Sequence, residues 1–524
     1  MKTIKKITAI VASLTGLVSV SSATVSLNGN GLGQVLVFPY YTVNNDLNSL
    51  VSIVNTTDQT KAVKVRFLEG KASKEVLDFN LYLSPYDVWT AALSSDDVNR
   101  GPLGIFTSNA AFNVYNDDKT VVLKTDDTSC TAPQVINKQQ FKPYTFHNDD
   151  ANQNNMERSR EGHLEVIEMG VVMEDSDHAA WIKHDLSGIP ADCSAIQNSW
   201  FGSPPVNIWR LDPFTDMVDP DLYGGLYGTL SVVDLARGFA VSYDADAIQG
   251  FQDTVNHTPP GSLSPTIGDT SLNNSSYNSV ILSAGDTIES SWENGIDAVS
   301  ALFIHDNIYN DYVITGLLGA YTEWVVTFPT KKYYVDRDYV NSPPIDPFTT
   351  TLSTSGACEE FSSGYWNREE GNPTVTSCPP NTISFFDEEG NLLCITPSGV
   401  PPPPPPPPPI ICWGTNVIEF SSNREVDHTV PTAILGSTSK QDYFIGENVN
   451  DSDLDTNWAT GWVDITFTQS TSVAVDTNSG IGQTYVGLPV TGFSVQRWHN
   501  IVADTLFGMI FKHKSTVNIT NDMD

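Results

Sequence analysis

Residues 48–83 read NSLVSIVNTTDQTKAVKVRFLEGKASKEVLDFNLYL, and the period of this stretch decides the fold class. Val63, Val65 and Phe67 alternate with Lys64 and Arg66, then Leu77, Phe79, Leu81 and Leu83 alternate with Asp78, Asn80 and Tyr82. A two-residue period puts each set on its own face of a strand. The polar run 56–61 between the apolar segments 50–54 and 63–67 predicts a hairpin in a half-buried antiparallel sheet, apolar side inward and charged side in water. Three such strands in quick succession predict an immunoglobulin-like β-sandwich.

The same texture recurs along the chain. HLEVIEMGVVM (163–173), GTLSVVDLARGFAVSYDADAI (228–248) and YTEWVVTFPTKKYYVD (321–336) are short, β-branched or aromatic runs bounded by turn residues. Alternation returns after Cys412 in NVIEF, GWVDITF, TSVAVD and TYVGLPVTGFSVQRW. The chain therefore reads as all-β. The expected organisation is an N-terminal β-sandwich over 24–145, a central β-rich domain over 146–341, a Cys/Pro-rich segment over 342–412 and a C-terminal β-rich domain over 413–524.

Residues 1–23 place Lys2, Lys5 and Lys6 before an apolar run and end in small residues, the pattern of a secretory signal peptide. The full chain carries a formal charge of −35, with 62 acidic residues against 27 basic ones. Such an excess repels phosphate backbones and argues against nucleic acid as a partner. Hydrophobic residues make up 40%, enough for packed cores, so the acidity belongs on surfaces and loops. Beyond the signal, no apolar run is long enough to predict a membrane-spanning helix.

Six cysteines behind an export signal predict three disulfides. Cys130 and Cys193 stand apart and are expected to pair. Cys358, Cys378, Cys394 and Cys412 allow three connectivities, which the nine prolines 401–409 narrow. A polyproline II rod of that length spans roughly 28 Å. Its flanks reach back only about 24 and 10 Å at full extension. Cys394 and Cys412 are therefore predicted not to pair; Cys394 takes Cys358 or Cys378, and Cys412 takes the other.

The start GNGLGQVLVFPYYTV (29–43), followed by VLDFNLYLSPYDVWTAAL (76–93) and ICWGTNVIEF (411–420), resembles a group of secreted proteins of Gram-negative bacteria. The resemblance implies an exported bacterial protein at the cell surface or in the medium. It brings no activity, cofactor or functional residue with it.

Candidate chemistry is confined to a few clusters. Asp451, Asp453 and Asp455 have the spacing that opens an EF-hand, but Thr456 stands where glycine belongs and Trp462 where the bidentate glutamate belongs. Asp212, Asp216, Asp219 and Asp221 form a second oxygen-rich run. Both are candidate calcium loops, with a solvated acidic loop as the plainer reading, and calcium is the one cofactor the sequence suggests. Trp458 and Trp462 in NWATGW are candidates for a sugar-stacking platform, set against the usual role of tryptophan as a core anchor. His163 and Glu165 share a strand face, where the plain reading is two polar residues on an outer sheet surface, and Glu168 points to the opposite side. There is no GxSxG, HExxH or phosphate-cradling loop.

Two functions fit. The first is an acidic, calcium-stabilised cell-surface or extracellular-matrix protein of adhesion, assembly or envelope coverage, with envelope, glycan or protein partners. The second is a secreted polysaccharide hydrolase or a carbohydrate-binding module. The missing catalytic motifs weigh toward a non-enzymatic role.

Overall fold

The computed structural model describes residues 24–95, 121–135, 138–146, 156–270, 277–283, 285–315, 319–370, 383–386, 392–395, 408–421, 430–445, 456–468, 470–500 and 502–521. The signal peptide, Asp451, Asp453, Asp455, Cys378 and most of the proline tract lie outside the described residues, and only the backbone of Cys394 is described.

The fold is mostly β, with 48% strand and 9% helix, arranged in sandwich-like sheets. A 13-stranded sheet forms the central layer. In it Glu161–Val172 lies between Val35–Thr42 and Thr60–Glu69, and Thr60–Glu69 pairs in turn with Glu75–Leu83. A six-stranded sheet built on Asn48–Asn55, Leu226–Asp234 and Val88–Ser95 covers its inner side. Val63, Val65, Phe67, Phe79 and Leu81 meet Val51, Ile53, Trp89 and Leu230 in the main core between the two layers. The central sheet recruits strands from 24 to 521, so it runs through the boundary expected at 145/146.

Two expectations for the opening stretch need correction. Asn48–Asn55 and Thr60–Glu69 are not a hairpin, because they belong to opposite sheets and face each other across the core. The Asn55 side chain anchors the crossover by donating to the carbonyls of Gln59 (2.7 Å) and Ser84 (2.9 Å). The local hairpin is the next one, with Val65 opposite Phe79 and Phe67 opposite Leu77.

The second correction concerns the charged face. Thr60–Glu69 and Glu75–Leu83 are buried at every position, so Lys64, Arg66, Asp78, Asn80 and Tyr82 are not in water. Remote segments cover them. Lys64 Nζ reaches the carbonyl of Pro259 (3.4 Å), Asn80 donates to Thr258 (2.9 Å), Tyr82 meets His257 (3.0 Å), and Lys332 lies 3.9 Å from Glu165. The charges answer one another: Arg66 pairs with Glu165 (2.8 Å) and Glu75 (2.7 Å), and Lys74 with Asp336 (2.7 Å).

Cys130 and Cys193 are bonded as expected, clamping the helix Cys193–Phe201 to the strand Cys130–Ala132. Cys358 is bonded to Cys412, which agrees with the prediction that Cys412 does not take Cys394. Among the described residues, no helix is long and apolar enough to cross a membrane.

Candidate functional site

A second core, around Trp324, Val463 and Ile465, backs a four-stranded sheet in the order Ser362–Asn367, Thr460–Thr466, Asn307–Val313, Lys514–Thr516. Alternation in these strands is simple. Ile308, Tyr312, Tyr365, Val463 and Ile465 point into the core, which leaves Tyr309, Asp311, Trp366, Trp462 and Asp464 on the opposite, open face.

Register orders that face into two rows. In the first, Trp366 lies opposite Trp462, and Trp462 opposite Asp311. In the second, Gly364 lies opposite Asp464, Asp464 opposite Tyr309, and Tyr309 opposite Lys514. The Trp366 and Trp462 rings stack, with centroids 4.0 Å apart and planes 10° from parallel. Trp462 remains 42% exposed despite that contact, an unusual state for the largest apolar side chain. Its exposed side borders a groove of about 490 Å³, lined also by Tyr309, Asp311, Lys514 and the wall residues Ile510, Phe511 and Lys512.

The polar groups around the groove differ in availability. Asp464 accepts from the Gly364 N–H (2.8 Å) and from Asn307 (3.2 Å), so it holds the edge strand in place. Tyr309 donates to Thr516 (3.0 Å), and Lys512 pairs with Asp246. Asp311 and Lys514 are exposed. An aromatic wall with an acceptor and a cation beside it offers stacking for an apolar ring face and hydrogen bonds for its hydroxyls.

The sequence-predicted residues separate here. Trp462 is on the open face, but Trp458 is not its partner. Trp458 sits against the second core, edge-on to Tyr365 at 5.5 Å. The partner is Trp366, nearly a hundred positions earlier and brought alongside by strand pairing. The alternation of GWVDIT signals the exposure of Trp462, since Val463 and Ile465 claim the core side. Trp366, Tyr309 and Asp311 were missed because nothing local reports which strands adjoin.

The acidic run 212–221 does not converge. Asp212 caps Phe214 (3.1 Å) and Thr215 (3.2 Å), Asp219 accepts from Val255 (3.0 Å), and Asp221 accepts from Tyr223 (2.9 Å). Each carboxylate serves its own turn or loop, and among the described residues no three His, Cys, Asp or Glu side chains gather around a common point.

Asp216 instead enters an arrangement the sequence did not reveal. His178 Nδ1 lies 2.7 Å from Asp216 Oδ2, and its Nε2 lies 2.9 Å from Ser199 Oγ. These are the contacts of a Ser-His-Asp triad. Access is what differs: Ser199 and His178 are wholly buried, and the imidazole is stacked on Trp209 at 4.0 Å. Burial lowers the basicity of His178 even though Asp216 opposes that shift. The trio satisfies both nitrogens of a buried imidazole and joins the helix Cys193–Phe201 to the helix Asp177–Ile182.

His163 and Glu165, read in sequence as outer-face residues, are also fully buried. Neither His163 nitrogen has a hydrogen-bond partner. Burial, reinforced by the Lys332 cation, pushes its pKa down to about 3, so the ring is neutral. No protein-family model, curated protein or solved structure matches this chain.

Proposed function

We propose that this is an exported, acidic surface protein of a Gram-negative bacterium that holds glycans in the groove beside Trp462, and so acts in adhesion or assembly by binding. The observation that carries the reading is the ring of Trp462, stacked on Trp366 yet 42% exposed beside the groove. A core tryptophan is hidden, whereas a sugar platform needs a rigid apolar plane open on one side, with polar groups at its edge.

Binding is favoured over cleavage by the carboxylates present. Glycoside hydrolysis uses two that flank the scissile bond. Here Asp464 is engaged with Gly364 and Asn307, which leaves Asp311 as the exposed carboxylate of the groove. Secretion accords with the leader-like start and with two disulfides among the described residues.

The test is a glycan array probed with the full chain and with Trp462→Ala. The wild type is expected to bind a defined set of glycans and the variant to lose at least tenfold in affinity, about 1.4 kcal/mol. Equal binding by both proteins would move the site elsewhere, and absence of binding across the array would remove the reading.

A further inference from the structure

Lys61 and Glu168 form a buried ion pair that is short of hydrogen-bond partners. Lys61 Nζ lies 2.5 Å from Glu168 Oε1, and both side chains are completely buried. Strand register places Glu168 opposite Val63, and Lys61 lies two residues from Val63 on the same strand. Both therefore project to the side of the sheet that carries Val63, Val65 and Phe67, the side facing the main core.

An ammonium brings three donors and a carboxylate about four acceptor sites. Among the described residues, Lys61 Nζ has the one partner, and Glu168 Oε2 has none. The neighbouring Glu69 shows what a satisfied buried carboxylate looks like in this sheet. It accepts from Arg158 Nε (2.8 Å) and Nη2 (2.5 Å), and from the backbone N–H groups of Lys71 (2.8 Å), Ala72 (2.8 Å) and Lys74 (3.0 Å). Burial raises the Glu69 carboxyl, but those donors outweigh it and hold the pKa below its ordinary value. Burial drives Glu168 up to about 7 even with Lys61 beside it.

A buried charge pair left this short of partners is costly. The two groups are held in contact and shielded from water by the fold. Those are the conditions under which a desolvated lysine acts as a nucleophile and fixed geometry replaces a bimolecular encounter.

We propose that Lys61 and Glu168 condense into an isopeptide bond joining the strands Thr60–Glu69 and Glu161–Val172. Nζ passes a proton to the Glu168 carboxylate, and its freed lone pair then attacks Cδ and forms the C–N bond. A proton passes from nitrogen to the departing hydroxyl, the C–O bond breaks and water leaves. The product is a secondary amide with one N–H and one C=O, and no outside reactant is consumed. It ties positions 107 residues apart in sequence across the central sheet, reinforcing the fold independently of any ligand in the groove.

The experiment is peptide mass spectrometry on the purified, denatured and reduced full chain after trypsin. The expected species joins the segment bearing Lys61 to the segment bearing Glu168, lighter than their sum by the mass of one water, with no cleavage after Lys61. Lys61→Arg keeps a cation at the position but lacks the primary amine, and should give the two segments separately at full mass. Separate full-mass segments from the folded wild-type chain would overturn the proposal. So would a cross-linked species that persists in Lys61→Arg.

Discussion

The Thr60–Glu69 strand alternates Lys64 and Arg66 with valines, and the Thr460–Thr466 strand alternates Trp462 and Asp464 with Val463 and Ile465. In the first, the polar set is buried under the loop carrying His257 to Pro259 and under the 331–339 segment; in the second, it borders an open groove. The buried face is a set of mutually paired charges in which Arg66 bridges two glutamates. The open face keeps an aromatic ring and a carboxylate exposed. Alternation reports that a strand has two faces, and what covers the second face is decided by chain far away. Burial converts charges into structural locks, while openness leaves an aromatic plane available to a ligand.

The contrast breaks most sharply if charges on the two faces respond alike to removal. Arg66→Met should strip Glu75 and Glu165 of their shared cation in a fully buried site and cost about 3–5 kcal/mol in urea unfolding. Asp311→Asn, on the open face, should stay within about 0.5 kcal/mol of wild type. Comparable losses would mean that the faces are not energetically distinct.

Acid should separate the faces next. His163 is held neutral with its pKa lowered to about 3, against about 6.5 when unfolded. Between those values the unfolded chain binds the extra proton, so the stability from keeping His163 neutral is complete above pH 6.5 and declines as pH falls toward 3. His163→Leu should abolish that share of the acid sensitivity, on the order of 2–3 kcal/mol between pH 7 and pH 4. A variant whose stability falls with acid as steeply as wild type would show that His163 titrates freely.

The two tryptophans of NWATGW sharpen the comparison within six residues of sequence. Trp458→Ala opens space beside the second core and should cost about 2–3 kcal/mol, somewhat below the range for fully buried aromatics. Trp462→Ala should shift the unfolding midpoint less, because Trp462 is already 42% exposed and lies outside the second core. Thermal unfolding of the two variants reads this directly, and a reversed order would place the platform at Trp458.

Local chemistry was legible in the sequence. Period-two alternation gave the all-β class, the separated cysteines gave the Cys130–Cys193 bond, and the stiffness of the proline run kept Cys412 from Cys394. Partnership at a distance was not legible. Asn48–Asn55 pairs with Leu226–Asp234 rather than with its neighbour in sequence, so a polar turn that looked like a hairpin is a crossover between layers. The burial of Arg66 and His163 follows from segments whose docking no local pattern encodes. The exposure of Trp462 follows the alternation of its strand, and Trp366 was missed because their stacking depends on register.

Tryptophan oxidation footprinting of the full chain, with and without a glycan retained on the array, tests the central claim most directly. Bound glycan is expected to slow modification of Trp462 and to leave Trp458 unchanged. Unaltered reactivity of Trp462 in the saturated complex would contradict it.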